Sequence, residues 1–112
     1  MRGIEGEQTL LRLVLSESRS HDGRPLFRKL LEVLREEGLA GATVIKGIAG
    51  FGHDRDIHTV AIEVAAVGLP LTIEVVDTPQ HIEHVLPKLE ALMDGGVIML
   101  ERAHVIRYAP PS

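Results

Sequence analysis

Two stretches of helical periodicity, each flanked by stretches that alternate with a period of two, constrain this 112-residue chain more than any other feature. Leu26, Phe27, Leu30, Leu31 and Leu34 recur at helical spacing, with Pro25 suited to the first turn and Gly38 to the stop. Ile82, Val85, Leu86, Leu89, Leu92 and Met93 form the second stripe, with Thr78 and Pro79 as N-cap and first helical residue. Pro87 lies inside that stripe and is expected to kink or divide the helix. Between and around the helices, residues 8–16, 42–47, 57–65, 71–76 and 97–107 read as strands. The order is strand, helix, strand, an extra β segment, strand, helix, strand. A repeated split β-α-β unit of this kind is the ferredoxin-like arrangement: α+β, one antiparallel sheet, both helices on one face.

The strands are apolar on both sides. Leu11, Leu13 and Leu15 share one face of the first strand, while Leu10 and Val14 share the other with Arg12. Helices cover one face of such a sheet. The opposite face would still present Leu10, Val14, Ile45 and Val76, and an exposed apolar patch marks association. A closed homo-oligomer is therefore expected. One domain spans residues 1–112, with 1–8 and 109–112 expected to be flexible.

Composition narrows the function. The net charge of −4 argues against a general nucleic-acid binder. The absence of Cys rules out disulfides, thiolate chemistry and Cys-ligated zinc. Met1 to Thr9 holds two Glu and no apolar core, unlike a signal peptide, and no apolar run is long enough to span a bilayer. A cytoplasmic location is the expectation. Ser16, Ser18 and Ser20 sit in no nucleophile elbow, and Glu63, Glu74 and Glu101 on strands suit ion pairs better than chemistry. The chain is therefore not expected to be an enzyme.

Gly47-Ile-Ala-Gly50-Phe51-Gly52 has two readings: a loop whose backbone N–H groups cradle an anion, with Lys46 and Arg55 adding charge, or a bulge where a strand bends. It lacks the Gly-Lys-Ser/Thr ending of a Walker loop. Among six histidines, His53 and His58 flank Asp54 and Asp56 and form the better metal candidate. His81 and His84 are three apart on a helix without an evident third ligand. On the last strand, Arg102 and His104 share a face and Arg107 takes the other. Each Arg offers a guanidinium fork for an anion.

Residues 38–52, Gly-Leu-Ala-Gly-Ala-Thr-Val-Ile-Lys-Gly-Ile-Ala-Gly-Phe-Gly, then Ile57-His58-Thr59 and Leu69 to Asp77, resemble the uncharacterised bacterial family called domain of unknown function 190. The resemblance runs from about Leu10 to Tyr108. That family is in turn similar to the PII signalling proteins and to CutA proteins. The resemblance implies a homotrimer with its sheets facing inward. It further implies a ligand, an adenine nucleotide in PII, at a cleft between subunits. On that likeness Lys46, Gly47, Gly50, Phe51, Gly52 and Arg107 are the ligand-binding candidates. Binding would order the 50–68 segment, which then meets a protein partner such as a membrane transporter. The alternatives are a CutA-like trimer binding a divalent metal and an adaptor trimer without a ligand. Two departures from PII stand out. Asp94-Gly95-Gly96 replaces a basic glycine-rich connection, and His53-Asp54-Arg55 follows Gly52 where PII has a glutamine.

Overall fold

The computed structural model describes residues 4–60 and 68–108. Its frame is β1 (Gly6–Ser16), α1 (Leu26–Glu36), β2 (Thr43–Lys46), β3 (Pro70–Asp77), α2 (Pro79–Leu92) and β4 (Val97–Val105). These strands form one antiparallel sheet in the order β2-β3-β1-β4, the ferredoxin-like order. Two short ladders decorate it: Ser20–His21 with Arg24–Pro25 before α1, and Ala49–Gly50 with His58–Thr59 after β2. The second is the expected β extension.

Register explains which face is covered. Leu11 lies opposite Val75, Leu13 opposite Ile73 and Leu15 opposite Leu71, so one face of the sheet is continuous hydrocarbon. Those six side chains are buried against Leu26, Leu30 and Leu34 of α1 and Ile82, Val85 and Leu89 of α2. Burying each such side chain stabilises the fold by roughly 1.5–3 kcal/mol. α1 ends in a Schellman arrangement. Gly38 has φ +82, its N–H bonds to the Arg35 carbonyl, and the Leu39 N–H reaches back to Leu34. α2 is capped by Thr78, whose hydroxyl accepts the His81 N–H at 3.2 Å.

Four details depart from the sequence expectation. β1 opens at Gly6 rather than Gln8, and Gly6 to Gln8 pair with Val105 to Ala103 of β4 instead of lying loose. The third strand shrinks to His58–Thr59, and the rest of the 57–65 segment from residue 61 lies outside the described residues. β4 ends at Val105, short of Arg107. α2 continues through Pro87 as one helix. Pro87 is on the exposed side, while Val85 and Leu89 on either side of it are buried, so packing holds both halves to the sheet.

The second face of the sheet is open. It carries half-buried Leu10, Val14 and Val76, and Ile45, Val97 and Met99 are 49%, 47% and 40% exposed. Across its middle runs a row of charge. The Arg12 guanidinium bonds Glu74 of β3 at 2.9 Å and Glu101 of β4. The Arg12 charge is thereby held more firmly than usual, chiefly by its bond to Glu74. No helix among the described residues is long and apolar enough to cross a membrane.

Candidate functional site

The Ala49–Gly50 and His58–Thr59 ladder lifts a hairpin off the end of the sheet where β1 and β3 meet the loop into β4. Its turn is built locally. The Asp56 N–H bonds the Asp54 carboxylate at 3.0 Å, the Arg55 N–H bonds the Gly52 carbonyl at 2.9 Å, and Arg55 takes φ +66. Arg55 lies over the Phe51 ring, 4.9 Å from its centroid. Ile48, Phe51 and Ile57 are 74%, 57% and 64% exposed, so the hairpin is an apolar projection.

Beneath it is a cleft of about 550 Å³, bounded by Gly50–Asp54 and His58 of the hairpin, Ser16 at the end of β1, Ser18 and Arg19 just after it, and Gly96 before β4. Sequence patterning does not single out Arg19. Its guanidinium donates to the Asp94 carbonyl and lies 3.0 Å from where a Gly95 Cβ would stand. The Asp94-Gly95-Gly96 turn contains no Lys or Arg, yet a guanidinium is delivered to it from 75 residues earlier. No local signal points to this, because Arg19 sits in an ordinary polar loop and the pairing exists only once β1 and β4 are neighbours.

The glycines divide by role. A Cβ on Gly47 would stand 2.7 Å from the Pro70 ring and one on Gly50 3.0 Å from it, so these two glycines let the hairpin base pack on Pro70. The Gly47 N–H is taken by the Pro70 carbonyl at 2.7 Å. Gly52 faces open space on the cleft wall. Gly96 has φ +80 and its Cβ would meet the Val14 carbonyl oxygen at 2.5 Å.

Of the sequence candidates, Gly50, Phe51, Gly52, His53 and His58 converge on this cleft. Lys46 instead pairs with Glu17 at 2.9 Å, and Gly47 lies behind the cleft against Pro70. Arg107 is at the other end of the sheet. Val97 pairs with Val14 beside the cleft, whereas Val105 pairs with Gly6, about 25 Å away along the strand. Within one chain Arg107 does not reach the cleft.

His58, His81, His84 and His104 each have polar partners. His58 Nε2 is 3.3 Å from Asp54 Oδ2. The Asp54 carboxyl is held below its ordinary range, first by the Asp56 N–H and then by His58. His81 bonds the Thr78 hydroxyl at 2.6 Å, His84 bonds Glu37 at 3.1 Å and His104 bonds Glu7 at 2.6 Å. Among the described residues no three His, Asp or Glu side chains converge as a metal site.

The comparisons with known proteins agree with this architecture. A UPF0166 protein of Methanocaldococcus jannaschii is 36% identical over 99 residues, covering 88% of this chain and 91% of its own. Among solved structures, a PII-like signalling protein from Thermus thermophilus superposes with a TM-score of 0.68 at 18% identity, over 90% of this chain and 91% of that one. CPII of Thiomonas intermedia, a nitrogen regulatory PII-like protein solved with ADP, AMP and bicarbonate, gives 0.65 at 13% identity, over 92% and 97%. The divalent cation tolerance protein CutA1 of Thermus thermophilus gives 0.56 at 14% identity, over 92% and 87%. At such identities the structural likenesses establish the PII-like, ferredoxin-like fold. The family model of DUF190, described as Uncharacterized ACR, matches residues 8–105, and the chain belongs to that family.

Proposed function

We propose that this protein is a PII-like regulator that binds a small anionic ligand, with an adenine nucleotide the foremost candidate, and signals occupancy through its hairpin. The observation that carries the reading is the cleft itself. A glycine-bearing hairpin with an exposed aromatic ring and a guanidinium poised on a glycine turn face one another across about 550 Å³. That combination offers a stacking surface, cationic charge and room for close backbone approach. CPII, a protein of the same fold, was solved with ADP and AMP, and supports the choice of ligand class.

The reading includes a homotrimer closed through the open sheet face, where Ile45, Val97 and Met99 are exposed. Arg107, remote from its own cleft, would then serve the cleft of a neighbouring copy. Ligand would bias the hairpin, and its exposed apolar side chains, Ile48 at the base and Phe51 and Ile57 nearer the turn, would meet a protein partner, a membrane transporter being one kind. No catalytic role is assigned to any residue.

The test is a thermal-shift panel on metal-stripped, untagged protein with adenine and guanine nucleotides, cyclic nucleotides, bicarbonate and divalent ions. A ligand at a hundredfold excess over its Kd adds about 2.7 kcal/mol of stability. A shift with an adenine nucleotide that disappears in Arg19→Gln supports the reading. A shift with a divalent ion alone, lost in a His53→Ala, His58→Ala variant, would replace it with the CutA-like alternative. No shift with any of these compounds would refute the nucleotide assignment and leave the adaptor reading.

A further inference from the structure

A second cavity, of about 470 Å³, lies on the helical side of the molecule, away from the cleft. Its walls are α1 and the Leu39–Ala42 loop that leads into β2, and it shares no lining residue with the hairpin cleft. The loop is held rigidly. The Ala40 N–H is taken by the fully buried Asp77 carboxylate at 2.8 Å, and the Leu39 N–H by the Leu34 carbonyl at 3.1 Å. The cavity is therefore preformed on both sides.

Its chemistry runs against the rest of the chain. The protein as a whole carries a net charge of −4, yet residues 24–35 hold Arg24, Arg28, Lys29 and Arg35 against the lone carboxylate of Glu32. Arg24, Arg28, Glu32 and Arg35 all line the cavity. Arg24 binds the Glu32 carboxylate with both oxygens of the latter in reach, and that bond is the main cause that holds the Glu32 carboxyl below its ordinary range. The Glu32 charge is thus occupied. Among the described residues neither Arg28 nor Arg35 makes an ion pair within 4.0 Å, although Arg28 lies over the Phe27 ring, 5.8 Å from its centroid, and Arg35 attracts Glu32 at longer range. These two lie seven residues apart on α1, two turns or about 10 Å, close enough for two long side chains to converge on one ligand. Between them the wall is Leu31, with Leu34 and Leu39 below.

We infer that this cavity is a second ligand site, separate from the hairpin cleft, which takes a small amphiphilic anion: a phosphate or carboxylate head held by Arg28 and Arg35, with a short hydrocarbon body over Leu31, Leu34 and Leu39. Guanidinium forks match the planar, bidentate geometry of such heads. A leucine floor favours an apolar body over a purely hydrated ion.

The test is isothermal titration calorimetry with hexyl phosphate and with inorganic phosphate on the full chain. The variants are Arg28→Gln with Arg35→Gln, and Arg19→Gln alone. All three substitutions are of surface guanidiniums, and thermal melts of each variant check that the fold is intact. Hexyl phosphate is expected to bind more tightly than inorganic phosphate, and the double variant to weaken it about tenfold or more. Arg19→Gln is expected to leave its affinity unchanged, which separates this site from the hairpin cleft. A Leu31→Asn variant should erase the preference for the alkyl ester. Three results would each overturn the inference: unchanged affinity in the double variant, no preference for hexyl phosphate, or loss in Arg19→Gln instead. Failure here would leave the hairpin cleft untouched, since nucleotide binding there is read through Arg19.

Discussion

Gly96 is the position where cleft geometry and fold stability meet most tightly, and Gly96→Ala is the most informative single substitution. Two costs add. With φ +80 the residue sits in left-handed space, where an L side chain costs about 1–2 kcal/mol. The new Cβ would also stand 2.5 Å from the Val14 carbonyl oxygen and 2.9 Å from the Met93 methyl. The methyl can swing aside. The carbonyl belongs to β1, where Val14 stands opposite Val97 of β4, so the turn and the strand end must separate. A loss of about 2–4 kcal/mol is expected, within the range for strained backbone plus overpacking. Three other glycines grade the comparison. Gly95→Ala carries φ +109 but meets only the movable Arg19 side chain at 3.0 Å, so it should lose only the conformational part, about 1–2 kcal/mol. Gly41→Ala and Gly52→Ala meet nothing within 4 Å and take no positive φ, so each should fall within about 1 kcal/mol of the parent. Urea denaturation of all four, with m-values compared, gives the order. A Gly96→Ala protein as stable as Gly41→Ala would refute the reasoning.

Leu30→Ala empties a fully buried position in the middle of α1 and is expected to cost about 2–5 kcal/mol in the same urea series. Thr78→Ala removes the hydroxyl that caps α2 and should cost about 1 kcal/mol, with Thr78→Ser recovering most of it. Glu37 joins the end of α1 to α2 by bonding Lys88 at 2.7 Å and His84 at 3.1 Å, and the Lys88 bond is the chief cause that depresses its carboxyl. A depressed carboxylate contributes stability that is complete above its unfolded value, about 4.3, and is lost as pH falls through the folded value. The melting-temperature gap between parent and Glu37→Gln should accordingly narrow from pH 7 toward pH 3. Parallel profiles would exclude the role.

The frame of this fold is legible because its signals are local and periodic. Leu11, Leu13 and Leu15 announce a strand face, and Leu26, Leu30 and Leu34 a helix face, before any partner is known. Even the second, open face is visible in Leu10, Val14, Ile45 and Val76. Glu74 and Glu101, expected to make ion pairs, do so through Arg12. Local reasoning fails where tertiary packing overrides it. Pro87 does not break α2, because Val85 and Leu89 anchor the helix on either side. Gln8 is only 8% exposed, although that end reads as a polar lead-in, because β1 pairs there with β4, and Ile4 just before the strand is buried as well.

The candidate site is half visible in the sequence. The hairpin glycines and Phe51 stand out, but no local pattern separates Gly47, which packs on Pro70 behind the cleft, from Gly50 and Gly52, which line it. Arg19 is hidden because its partner is 75 residues away. Resemblance groups Arg107 with the cleft, whereas strand register places it at the far end of the same chain.

The central claim is a cleft completed between copies, with Arg19 from one and Arg107 from the next. Equilibrium binding of ADP to mixed variants tests it most directly. Arg19→Gln and Arg107→Gln proteins are each titrated alone, then again after subunit exchange in an equal mixture. Each alone should bind weakly. In a random mixture about a quarter of the clefts regain both arginines, so that fraction of tight sites should return. If the mixture binds no better than its components, the shared cleft is wrong.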